Sequence, residues 1–167
     1  MAKKRSPLKN RLARFETAGC HGVRVAVLRP EASGLSIGDV CWQLLQPVCP
    51  LEVADASELT ELLERRPPFT SAEAAGWVLA ALDGDLVFDR DDDALMDDPK
   101  LRSIEDDVIA ALGPDARWYT NGDHPLKRFR PDGRGRSWAS VTRATFDLVV
   151  AARGGGLDLV LVRAEED

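Results

Sequence analysis

The stretch Thr145-Phe-Asp-Leu-Val-Val-Ala-Ala-Arg-Gly-Gly-Gly-Leu-Asp-Leu-Val-Leu-Val-Arg163 decides the fold. Two apolar, β-branched runs flank Gly154-Gly155-Gly156, which reads as a β-hairpin. A loop of those three glycines sets a register. Arg153 then faces Leu157, Val150 faces Val160, Leu148 faces Val162, and Asp147 faces Arg163. Phe146, Leu148, Val150, Val160 and Val162 share one face. Val149, Leu159 and Leu161 line the other, with Asp147 and Arg163 paired near its open end. A hairpin that is apolar on both faces must be covered on both. The rest of the chain reads as the material that covers it.

Upstream, periodicity and caps place the other elements. Ser6-Pro7 opens a short helix with Leu8, Leu12 and Phe15 on one stripe, closed by Gly19. Val23, Val25 and Val27 alternate in a strand that ends near Pro30. Ser36 and Asp39 form a capping box for a helix over 36–46, with Ile37, Val40, Cys41, Leu44 and Leu45 inward. Asp55 and Glu58 begin a helix with a Leu59, Leu62, Leu63 stripe, stopped by Pro67-Pro68. Thr70 and Glu73 cap a helix over 71–82 that is apolar nearly all round, which predicts deep burial of Trp77. Leu86-Val87-Phe88 reads as a short strand and Asp89–Asp98 as an acidic loop. Asp98-Pro99 starts a helix with Leu101, Ile104, Val108, Ile109 and Leu112 on one face, stopped by Gly113-Pro114. Trp118-Tyr119 is a short strand, Asn121-Gly122 a tight turn, and 123–137 a long basic loop.

Helices dominate the middle and strands cluster late. The expected fold is therefore α+β: an antiparallel sheet with a C-terminal β-hairpin and helices packed against it. Residues 1–19 read as a basic N-terminal helix or tail, and 20–167 as a single α+β domain.

The net charge of −6 conceals a segregation. Residues 1–14 hold Lys3, Lys4, Arg5, Lys9, Arg11 and Arg14, and no acid. Setting those six aside leaves 16 bases against 28 acids, or −12. Such a body attracts basic partners and opposes nucleic acid. No apolar run is long enough to span a membrane, and no apolar stretch follows the basic start as a secretory signal requires. Three cysteines do not suggest a disulfide framework, so a reducing cytoplasm is the expected compartment.

Residues 83–107 hold eleven acids against Arg90, Lys100 and Arg102. The EF-hand pattern fails there, because position six counted from Asp89 is Ala94 and position twelve is Lys100. Helix N-terminal preference explains acids only near Asp98. The surplus at Asp89, Asp91, Asp92, Asp93 and Asp97 is the candidate partner-binding set. Trp138 joins it as an aromatic anchor beside a polar loop.

The expectation is a non-catalytic binding protein that engages a basic protein partner through this surface. One concrete form is an immunity or inhibitor protein against a cationic toxin. It has no catalytic residues, metal or cofactor of its own. The alternative is a divalent-metal-dependent enzyme acting on phosphate esters with aspartates of 83–107. A weaker one is a nucleic-acid-associated protein using the basic segments 1–14 and 127–136, where Lys127, Arg128, Phe129, Arg130, Arg134 and Arg136 mix cations and an aromatic. Cys20, His21, Cys41 and Cys49 lack zinc-finger spacing. Asp123-His124 with Tyr119 could form an acid–base set, but sequence neighbours usually point apart and no nucleophile motif accompanies them.

Overall fold

A computed structural model describes residues 7–19, 22–83, 92–125 and 137–166. The fold is α+β. In chain order the elements are α1 (Leu8–Leu12), β1 (Thr17–Gly19), β2 (Gly22–Pro30), α2 (Ile37–Leu45), α3 (Ala56–Glu64), α4 (Trp77–Asp83), α5 (Asp92–Asp97), α6 (Pro99–Leu112), β3 (Arg117–Thr120), β4 (Phe146–Gly154) and β5 (Leu157–Glu165). The five strands form one sheet in the order β1-β2-β5-β4-β3, each neighbouring pair antiparallel.

The C-terminal hairpin supplies the central strand β5 and its neighbour β4, with β2 on the other side of β5. Its loop is shorter than the sequence suggests. Gly155 and Gly156 have φ of 58° and 72°, and they alone make the turn, the geometry that favours a two-residue hairpin. Gly154 stays in the strand opposite Leu157. It is glycine for a different reason: a Cβ there would lie 2.5 Å from the Ala116 Cβ and from the Leu112 carbonyl oxygen.

The one-residue change reverses the expected register. Val150 faces Leu161, Leu148 faces Arg163, Asp147 faces Ala164, and Arg153 faces Asp158. Val150 and Val160 are both buried, but on opposite faces. The Asp147–Arg163 pair does not form. Arg153 and Asp158 pair instead, at 2.6 and 3.1 Å, with Asp158 fully buried. Asp158 also accepts the Ala32 N–H, and Arg153 donates to the Leu35 carbonyl. These bonds tie the connection after β2 to the hairpin end.

Each face carries its own core, as the two-sided apolar pattern requires. One comprises Leu148, Val150, Ala152, Leu159 and Leu161 with residues of α1, α4 and α6. The other comprises Val149, Ala151, Val160 and Val162 with residues of α2 and α3. Cys41 belongs to the second. Burial, then the negative charge of Asp158, pushes its thiol up to about 12, so it packs as a small inert hydrophobe.

The caps on α2, α3 and α6 follow the sequence. Other boundaries move. Gly19 does not close a helix but ends β1, which pairs with β2. Leu12 is fully buried against the sheet. The expected 71–82 helix breaks in two. Thr70 and Glu73 cap only the 3-10 turn Ser71–Glu73, and α4 begins after Gly76, whose φ is 86°. Part of the expected acidic loop is helical, as α5. Asn121-Gly122 does not close a two-residue hairpin: Gly122 bridges to Trp138. The expected strand 86–88, and Lys127, Arg128, Phe129, Arg130, Arg134 and Arg136 of the basic loop, lie outside the described residues.

Trp77 starts α4 and is 6% exposed, with its ring 5.6 Å from that of Phe69. Trp77→Ala is expected to cost about 3–5 kcal/mol. Urea denaturation reads this directly, and a loss below about 1 kcal/mol would contradict the packing.

Candidate functional site

The acidic block divides by task. Asp98 caps α6, accepting from the N–H groups of Lys100 and Leu101 at 2.8 and 3.3 Å. Asp107 forms an ion pair with Arg11, which also donates to the Ser103 hydroxyl. Glu105 sits on the apolar stripe of α6 and is 6% exposed. Its carboxylate accepts from Gly76, Val78 and Leu79 N–H at 3.0, 3.1 and 3.3 Å. It is a cap for α4 supplied from another helix. Burial raises its pKa, against the lowering effect of those three bonds.

Asp97 and Asp106 have no such task. Both are exposed, and neither makes a hydrogen bond or ion pair among the described residues. Asp92 and Asp93 fall in the first turn of α5. Asp89 and Asp91 lie outside the described residues. Trp138 is half-buried, bridges to Gly122 and packs on Phe146 at 5.4 Å between ring centroids. It is held at the start of β4, whereas α5 packs on α4 and α6. The candidate anchor and the described part of the candidate acids, on α5, thus belong to different parts of the fold.

Asp123 and His124 do not point apart. His124 Nδ1 lies 2.6 Å from Asp123 Oδ1, which also accepts the Ser137 N–H at 3.0 Å. The Asp123 N–H donates to the Ser137 carbonyl. Asp123 thus holds both His124 and Ser137. A cleft of about 280 Å³ lies beside it, lined in part by Arg66, Phe69, Trp77, Tyr119 and Asp123. Pro67 lines the cleft, beside an isolated bridge between Phe69 and Trp118. Phe69 exchanges both backbone bonds with Trp118, but Pro67 has no N–H to continue towards Thr120. Among the described residues no serine or cysteine lines the cleft, and its one aliphatic hydroxyl, Thr120 Oγ1, accepts the Gly122 N–H and makes no hydrogen bond to His124.

Asp147 and Arg163, which the sequence pairs with each other, are both buried with other partners. Asp147 is 3% exposed. It accepts from Asn121 Nδ2, Val141 N, Thr142 N and Thr142 Oγ1 at 2.6–3.0 Å, and burial raises its pKa. Arg163 pairs with Glu165. Its Nη1 is buried with no hydrogen-bond partner. Burial lowers its pKa, against the raising effect of Glu165.

Among the described residues no three His, Cys, Asp or Glu side chains converge as metal ligands would. No described helix is long and apolar enough to cross a membrane. Cys20 and His21 lie outside the described residues. The chain matches no family model, no curated protein and no solved structure.

Proposed function

We propose that this chain is a non-catalytic binding protein that engages a basic protein partner through its acidic surface in a reducing, cytoplasmic setting. An immunity or inhibitor protein that neutralises a cationic toxin is the concrete form. The supporting observation is the division of labour within residues 83–107. Asp98, Glu105 and Asp107 each have an intramolecular partner. Asp97 and Asp106 are exposed without one, and Asp89, Asp91, Asp92 and Asp93 extend the same run of sequence. Dense like charge of this kind speeds encounter with an oppositely charged partner and suppresses wrong ones. The body's −12 outside residues 1–14 acts in the same direction and opposes nucleic acid.

Stopped-flow association with a small cationic nuclease, at low and at physiological salt, tests this. Association should be fast at low salt and fall steeply as salt rises. Replacing Asp91, Asp92 and Asp93 together with Asn should slow it and flatten the salt dependence while leaving the fold intact, with only the small stability change expected for acids in the first turn of α5. Equal rates for the wild type and the triple variant would remove the acidic surface from the account.

A further inference from the structure

The basic start of the chain plays no part in that function, yet it builds one wall of a cleft. The cleft has a volume of about 470 Å³ and lies between the N-terminal helical segment and the start of α6. Its apolar lining is Phe15, Pro99 and Ile104, and its cationic lining is Arg11, Arg14 and Lys100. Ser103, whose hydroxyl accepts from Arg11, also lines it. We infer that this cleft binds a small single-chain amphiphile with an anionic head, of the alkyl phosphate or fatty acid class.

Three features lead there. The volume falls in the range of small-molecule sites, on the order of 300–1,000 Å³. A lining that mixes apolar side chains with cations matches an apolar chain joined to an anion, and neither half alone accounts for it. The cations also differ in state. Arg11 is fixed in place by Asp107 and Ser103. Arg14 and Lys100 are exposed and have no ion-pair partner among the described residues. The N–H groups at the start of α6 do not enter this argument, because the Asp98 carboxylate already occupies those of Lys100 and Leu101.

The free amphiphile is favoured over the same chemistry presented by a membrane. A bilayer rich in anionic lipid would meet the whole chain, whose net charge is −6, including the exposed Asp97 and Asp106 nearby in sequence. A single small anion inside the cleft meets the local cations within one screening length.

Titration calorimetry with decyl phosphate below its micelle-forming concentration tests the inference, using decanol and phosphatidylglycerol vesicles in parallel. The wild type should bind one equivalent of decyl phosphate. The Arg14→Glu, Lys100→Glu double variant should bind it at least about tenfold more weakly, with an unchanged melting temperature because both side chains are exposed. Decanol should bind more weakly than decyl phosphate. The inference is overturned by no binding to the wild type, by equal binding to the double variant, by decanol binding as well as decyl phosphate, or by binding to the vesicles alone.

Discussion

Asp147→Ala is expected to destabilise the protein by about 3–5 kcal/mol, the cost of breaking a buried charged network by removing one member. The carboxylate is the common acceptor for four donors from two places in the chain: Asn121 after β3, and Val141 and Thr142 before β4. Without it those donors are buried and unmet, and each unmet group costs about 1–3 kcal/mol. Asn121 is affected in turn, because its Oδ1 accepts the Val149 N–H inside β4. The damage should therefore reach the sheet as well as the 137–145 segment. Equilibrium unfolding in urea measures the loss, and amide exchange at Val149 locates it. A variant within about 1 kcal/mol of wild type would show that the network is dispensable.

Glu105→Ala should cost about 2–4 kcal/mol. It orphans three N–H groups at the start of a seven-residue helix, and helices that short do not hold themselves together. Trp77, the first residue of α4, should become more exposed, which its fluorescence would report. The group also has a pH signature. Burial raises the Glu105 pKa above the ordinary value of 4.5, so the folded state takes up this proton before the unfolded chain does. Its linked contribution to stability is full below the ordinary value and is lost as pH rises through the raised one. Glu105→Gln cannot titrate. The stability of the wild type relative to Glu105→Gln should therefore grow as pH falls through that window. A difference independent of pH would contradict the assigned burial.

Local chemistry carried much of the fold. The capping residues Ser36, Asp55 and Asp98 each do what their position suggests, and the leucine stripe of α3 is buried as its spacing requires. The two-sided hairpin was legible because apolar residues at consecutive positions leave neither face for water. What could not be read was set by distant contacts. Gly154 looks like a loop glycine until Ala116 and Leu112 are seen against it, and that one residue shifts the whole register. The helix over 71–82 breaks at Gly76 because Glu105, 29 residues away, supplies a cap there. Glu105 itself gave a signal. It lies between Ile104 and Val108 on an apolar stripe, where a charge needs buried partners. Of the candidate site, the sequence showed the excess of acid but not its division into caps, ion pairs and exposed aspartates. That division depends on which donors from other elements arrive beside each carboxylate.

The most direct test of the account is a melting curve with and without millimolar magnesium or calcium, for the wild type and for the protein with Asp91, Asp92 and Asp93 replaced by Asn. A ligand that binds only the folded state raises its melting temperature. A protein-binding acidic surface with no divalent site predicts no shift in either protein. A clear rise in the wild type, lost in the triple variant, would contradict it and favour a metal-dependent enzyme built on the same aspartates.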